Sequence, residues 1–280
     1  MNTHRLPLRF QFRVVEQTEL DRTVVVRGSA CPNCDRPVEE DFRFCAGCGQ
    51  RAAVGRLALH DIVPDAFHAL VHADKSVLSL MKALALRPGV VAREYALEGK
   101  RKRYFNPFAF LVLVLGVCIT MNALVHPYTA QAHLLPSDAD PALRAIFVRQ
   151  DRLNLLIERY QNVVTFAALP IFTTVFWLFF RRRNVRFAEM LTAQIFFVGF
   201  VHAVEALVLT PFAHVFPNPL AFNLTRIAFQ LVYVTIAYRQ FFQLEGWTGF
   251  VRTGLTTLLA FALWAGASMS VMYLYIMYGA

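Results

Sequence analysis

Residues 107–125 read PFAFLVLVLGVCITMNALV and contain no charged side chain. A helix needs about 20 predominantly apolar residues to cross the hydrocarbon core of a bilayer. Four later stretches have a similar length and apolar character, over residues 162–180, 188–210, 219–238 and 250–277. The sequence therefore predicts an all-α polytopic membrane protein, with about five transmembrane helices within residues 106–280.

The residues before this membrane body have a different composition. Residues 1–105 contain 17 of the 28 Lys and Arg side chains and 12 of the 19 Asp and Glu side chains. The net charge of +9 is explained first by basic residues in cytoplasmic loops, so a nucleic-acid partner is not expected. Residues 1–28 form an N-terminal extension without the continuous apolar stretch of a secretory signal.

Four cysteines form two pairs in one short segment, Cys31-Pro-Asn-Cys34 and Cys45-Ala-Gly-Cys48. Two CxxC pairs at this spacing are typical of a structural Zn²⁺ site with four thiolate ligands. The alternatives are two disulfides or a redox-active pair. We expect a zinc ribbon over residues 29–52 in a reducing compartment, with Phe42 and Phe44 covering one side of it.

Residues 57–105 are predicted to form short juxtamembrane amphipathic helices that lie in the interface or pack under the membrane body. His68 and His72 share a helical face and, with His60 nearby, could bind a second metal ion or be ordinary surface residues. The basic segment Lys100, Arg101, Lys102 and Arg103 could bind anionic lipid headgroups. It could equally be a topology signal.

The distribution of basic residues predicts the orientation. Ten basic residues flank the ends of the spans on the ribbon side, and four lie in the polar loop between the first two spans. The positive-inside rule therefore places the N-terminus in the cytoplasm and the C-terminus on the opposite, periplasmic side.

Ionisable side chains inside a span are costly, and they indicate function by default. His202 and Glu205 lie in the third span, and Arg226 lies in the fourth at a similar depth. We expect a Glu205–Arg226 ion pair with His202 beside it, serving as an ion relay, a polar pocket or a structural clasp. Glu189 lies close to Arg186 and the inner interface and is assigned no special role.

Several motifs resemble those of an uncharacterised bacterial membrane-protein family, a domain of unknown function. After the cysteine pairs come Arg87-Pro88-Gly89, Arg93-Glu94-Tyr95, Gly99-Lys100-Arg101 and Tyr104-Phe105-Asn106-Pro107-Phe108. The resemblance covers roughly residues 31–125. It implies a bacterial inner-membrane location and zinc at Cys31, Cys34, Cys45 and Cys48, and it implies no activity.

Three functions are compatible with the sequence. The first is a non-enzymatic adaptor, sensor or scaffold whose cytoplasmic ribbon binds a partner protein, with Arg36 and Arg43 as contact residues. The second is a small transporter or channel component that uses Glu205, His202 and Arg226. Five spans would make a small transporter unless the chain forms a homo-oligomer. The third is a membrane enzyme acting on lipid or envelope substrates, although no catalytic motif is present.

Overall fold

A computed structural model describes residues 30–39, 42–52, 54–59, 75–125, 140–216 and 219–278. The N-terminal extension of residues 1–28 lies outside this part of the chain, and so do His60, His68 and His72. Five described helical segments are long and apolar enough to cross a membrane: Arg101–Val125, Gln161–Arg183, Phe187–Ala213, Leu220–Phe241 and Gly246–Tyr278. Each overlaps one predicted span, so the predicted fold class is confirmed.

The described residues form eight α-helices. Their bounds are α1 Lys75–Leu86, α2 Pro88–Ala96, α3 Pro107–Val125, α4 Pro141–Arg159, α5 Gln161–Phe180, α6 Phe187–Val204, α7 Pro219–Phe241 and α8 Gly246–Tyr278. Helix α6 continues into a π-helical turn, Glu205–Leu209, and a 3₁₀ segment, Thr210–Val215.

Helix α6 is the central span. Of its 18 most apolar consecutive residues, 56% are buried inside the protein, against 17% for α8. The aromatic core beside it centres on the fully buried Tyr238 of α7, whose ring stacks on Phe176 and meets Phe197 edge-on. The Tyr238 hydroxyl donates a hydrogen bond of 2.5 Å to Gln194 Oε1, which satisfies both polar groups inside the apolar core.

Helix α2 packs into the membrane body, against α6 and α7. Pro88 starts this helix directly after Leu86 ends α1, as the Arg87-Pro88-Gly89 sequence predicts. Gly89 is required at its contact with α7, because a Cβ atom there would lie 2.1 Å from the Ala237 carbonyl oxygen. These contacts agree with a helix packed on the spans, and the position of α2 relative to the membrane interface stays a prediction.

The segment between the first two spans differs from the predicted polar loop. Residues Pro141–Arg159 form the 19-residue helix α4, in which charged side chains alternate with Ile146, Val148 and Leu155. Arg149 Nη1 donates a hydrogen bond of 2.7 Å to the Ile276 carbonyl near the end of α8. The charges that indicated a loop therefore belong to an amphipathic helix that contacts another helix end.

Candidate metal site and intramembrane polar cluster

The four predicted cysteines converge on one point. All four sulfur atoms lie within 4.8 Å of one another, with 3.6 Å between Cys31 and Cys48 and 3.5 Å between Cys34 and Cys45. Four sulfurs placed 2.3 Å from a tetrahedral Zn²⁺ would be about 3.8 Å apart. No disulfide joins them, and their arrangement fits a metal ion.

Each cysteine pair is held by a tight backbone turn of the same form. The Cys31 N–H donates to the Arg36 carbonyl at 2.8 Å, and the Cys45 N–H donates to the Gln50 carbonyl at 2.7 Å. Backbone N–H groups of Gly47 and Cys48 lower the pKa of Cys45 to about 6. This favours the thiolate at Cys45, which is the form that binds metal. At Cys34 the Arg36 N–H lowers the pKa, but burial and the neighbouring thiols outweigh it and raise that pKa to about 12.

The phenylalanines between the two pairs do not cover the site. Phe42 and Phe44 are 55% and 54% exposed, so the expectation that they shield one side of the ribbon is wrong. Arg36 and Arg43 are exposed as well. The ribbon therefore presents aromatic and basic side chains outward.

The second cysteine turn is anchored to the segment that leads into the membrane. Gln50, which is only 4% exposed, donates from Nε2 to the Gly99 carbonyl at 2.8 Å and accepts from the Lys102 N–H at 3.2 Å. Arg101 Nη2 donates to the Gly55 carbonyl at 2.7 Å. These bonds connect the ribbon to the basic segment before α3.

A second anchor joins the ribbon side to the central span. Arg56 donates to both carboxylate oxygens of Glu189, at 2.7 Å from Nε and 2.6 Å from Nη2, and also to the Asn184 carbonyl. Glu189 is 1% exposed and additionally accepts from the Arg186 N–H at 2.8 Å. Glu189, which had been assigned no role, thus holds a segment from outside the membrane body.

The basic segment makes several contacts within the protein. Lys100 lies 2.9 Å from Glu98 and 3.3 Å from Glu94, and Arg103 lies 3.5 Å from Glu94. Burial alone would raise the pKa of Glu94, but the Tyr104 hydroxyl and these cations outweigh it, so that pKa is lowered. Lys102 and Arg103 are exposed, and lipid binding by this segment stays a prediction.

The predicted intramembrane residues meet at the other end of α6. Arg226 Nη2 lies 3.2 Å from Glu205 Oε2, and His202 Nδ1 lies 3.0 Å from the same oxygen. Gln230 Nε2 donates to Glu205 Oε1 at 2.5 Å. The structure therefore places the expected pair in contact, with Glu205 at the start of the π-helical turn and only 3% exposed.

Three further residues extend the cluster beyond the prediction. Thr165 Oγ1 lies 3.2 Å from His202 Nε2, and Asn122 hydrogen-bonds to Gln161 beside the same ion pair. Each of these polar residues lies within an otherwise apolar helix. The prediction compared the depth of residues in the third and fourth spans only. It could not include these three residues, because they belong to α3 and α5.

One known family matches part of this chain. The family described as "Protein of unknown function (DUF3667)" matches residues 74–118, which include α1, α2, the basic segment and the first part of α3. The match supports the resemblance to a family of unknown function for this segment, and it does not include the four cysteines. No curated protein and no solved structure matches the chain.

Proposed function

We propose that this chain is a non-enzymatic membrane scaffold whose zinc ribbon binds a partner protein at the cytoplasmic surface of the bacterial inner membrane. The observation that carries the proposal is the anchoring of the ribbon through Gln50 and Arg56, combined with the exposure of Phe42 and Phe44. A ribbon on a flexible tether would not need the buried Glu189 contact. An anchored ribbon presents its outer surface at a fixed height above the bilayer.

The metal in this proposal is structural Zn²⁺. Four thiolates fill a tetrahedral coordination sphere and leave no position for water or substrate. The ion would hold the two turns that carry Arg36 and Gln50, so the anchor and the outer surface would both depend on it. Cys31, Cys34, Cys45 and Cys48 are the ligands.

The orientation in this proposal rests on charge. Arg181–Arg183 follow α5, Arg239 lies near the end of α7, and Arg252 lies near the start of α8, all on the same end of the spans as the ribbon. The positive-inside rule assigns this end to the cytoplasm, and the C-terminus to the periplasm. A cytoplasmic location also keeps the four thiols reduced.

The partner is expected to be a protein with an apolar pocket and an acidic rim. Aromatic side chains and arginine are enriched among the residues that dominate protein interfaces. Phe42 and Phe44 would enter the pocket, and Arg36 and Arg43 would face the rim. This surface also separates the proposal from a nucleic-acid role, which would need a broader basic patch with phosphate contacts.

Site-specific crosslinking in the host membrane tests the proposal. A photoreactive phenylalanine analogue at position 42 or 44 should capture one recurrent soluble protein, and the Cys31→Ser variant should abolish that capture. The matched control is the same analogue at Leu78, which is 75% exposed on α1 outside the ribbon. Capture of lipid or nucleic acid at position 42, or the same products at positions 42 and 78, would contradict a protein-binding ribbon.

A further inference from the structure

A cavity of about 220 Å³ lies inside the membrane body, among α4, α5, α6, α7 and α8. Ten of its sixteen lining side chains are aliphatic or aromatic, including Phe172, Phe261 and Trp264. An apolar cavity of 150 Å³ is large enough to bind benzene, whereas drug-sized ligands occupy 300 Å³ or more. The size therefore fits a single substituted ring.

The polar part of the lining consists of Gln161, Thr165, Gln194, His202, Arg226 and Gln230. These side chains are held in place by protein contacts, since Thr165 meets His202, and Arg226 and Gln230 both bond to Glu205. Fixed polar groups in an apolar cavity provide orientation and specificity for a ligand.

Two of these amides can donate to a ligand. Gln194 Oε1 accepts from the Tyr238 hydroxyl, and Gln161 Oε1 accepts from Asn122. Each amide nitrogen carries two N–H donors in addition. The two amides come from different helices, α5 and α6, so they offer donors to acceptor atoms at separate positions on a ring.

The charge of the cavity lining selects against anions. The guanidinium of Arg226 is paired with the buried carboxylate of Glu205 at 3.2 Å, and the opposite charges compensate each other. An anionic ligand would compete with Glu205 for Arg226, and separating a buried ion pair is costly. A neutral ligand with carbonyl oxygens needs no such separation.

We infer that this cavity binds the ring of a neutral, oxygen-substituted amphiphile of the quinone class, with its ring between the aromatic side chains and its carbonyl oxygens facing the amides of Gln161 and Gln194. The apolar tail would extend from the cavity toward the lipid. The site lies in the membrane body and is independent of the proposed role of the ribbon.

Tryptophan fluorescence provides a local test, because Trp264 lines the cavity and quinones quench indole emission. Trp177→Phe and Trp247→Phe together leave Trp264 as the reporter in the full chain. Titration with decylubiquinone, a short-tailed benzoquinone, in detergent should quench this emission saturably. Quenching that rises linearly without saturation would show partition into the micelle and would overturn the site.

A cavity-filling variant has a matched control on the same helix. Ala168 lines the cavity, whereas the neighbouring Ala167 is exposed on the outside of α5. Ala168→Leu should raise the Kd for decylubiquinone at least about tenfold, since added side-chain volume displaces the ring, while Ala167→Leu should leave it unchanged. Equal affinity in the two variants would contradict binding in this cavity.

Competition in the unmodified cavity tests the ligand class and does not depend on any packing variant. Neither laurate, an anion, nor decylbenzene, which has the ring and tail without oxygens, should displace decylubiquinone at equal concentration. Displacement by laurate would overturn the neutral head group. Displacement by decylbenzene would show that the amide donors make no contribution, and would overturn the quinone class.

Discussion

Glu189 and Glu205 lie near opposite ends of the central span, about 24 Å apart along the helix axis. Both carboxylates are almost fully buried, and both are paired with an arginine. Their partners differ in origin. Arg56 comes from the segment after the ribbon, 133 residues away in sequence, whereas Arg226 comes from the next span, 21 residues away.

This difference in origin distinguishes two roles of a buried carboxylate–arginine pair. The Glu189 pair joins a soluble module to the membrane body, so we assign it to docking. The Glu205 pair joins neighbouring spans beside a cavity, so in our proposal it sets the charge of the ligand site. A buried carboxylate therefore has to be interpreted through its partner and surroundings, because burial and pairing alone do not separate the two roles.

We call the end of the protein where the ribbon side contacts Glu189 the docking end, and the end that contains Glu205 the cavity end. The largest effect is expected from removing a metal ligand at the docking end. Cys31→Ser should reduce bound zinc from one ion per chain to none and make the ribbon sensitive to protease, because structural zinc contributes about 10–16 kcal/mol to folding of small zinc domains. Elemental analysis and limited proteolysis measure both. Cys118→Ala is the control, since Cys118 lies in α3 away from the ribbon, and full zinc in Cys31→Ser would contradict the site.

The next largest effect is a loss of stability on substitution at the cavity end. Glu205→Gln should destabilise the membrane body by about 3 kcal/mol, because it removes the buried carboxylate that pairs with the Arg226 guanidinium. The double variant Glu205→Gln with Arg226→Gln should recover part of this loss. Thermal unfolding in detergent measures it, and ribbon zinc should be unchanged. Strictly additive losses would mean that the two side chains are not coupled.

Two glycine substitutions compare a tightly packed position on α2 with an exposed position on α3. Gly89→Ala should cost about 3 kcal/mol, because its new methyl group would collide with the backbone of α7. Gly116→Ala on α3 meets nothing within 4 Å and should be neutral or stabilising by up to about 1 kcal/mol. The melting temperatures of the two variants, each compared with the unmodified chain, test this prediction. Equal shifts in the two variants would contradict close packing of α2 on α7.

The smallest effect is a pH dependence at the docking end. The pKa of Glu94 is lowered from 4.5, so its stabilising contribution is present above that pH and is lost as the pH falls through the lowered value. Glu94→Gln should cost about 1 kcal/mol at pH 7 and reduce the loss of stability on acidification. Melting temperatures of the unmodified chain and of Glu94→Gln between pH 7 and pH 3.5 measure this pH dependence. Parallel curves for the two would contradict a stabilising role of the Glu94 carboxylate.

The sequence predicted the features that depend on local composition. Apolar runs marked the five spans, the CxxC spacing marked the converging cysteines, and matching depth in adjacent antiparallel spans brought Glu205 to Arg226. These predictions required only periodicity, ligand geometry and the thickness of a bilayer.

The missed features depend on contacts between distant segments. Nothing near Arg56 in sequence indicates that it reaches Glu189, and the close approach of Gly89 to Ala237 exists only after α2 packs on α7. The sequence analysis did not predict helix α4, because its charged side chains suggested a polar loop. Phe42 and Phe44 were expected to cover one side of the ribbon, yet they are exposed.

The docking of the ribbon through Arg56 and Glu189 is the central claim, and a double-mutant cycle tests it most directly. The rate of proteinase K cleavage within residues 54–59 is measured for the unmodified chain, Arg56→Gln, Glu189→Gln and the double variant, with zinc content checked in each. We predict that each single variant raises the rate at least about tenfold and that the double variant adds little more, because both changes break one contact. Unchanged rates in the single variants, or fully additive increases, would contradict docking by this pair.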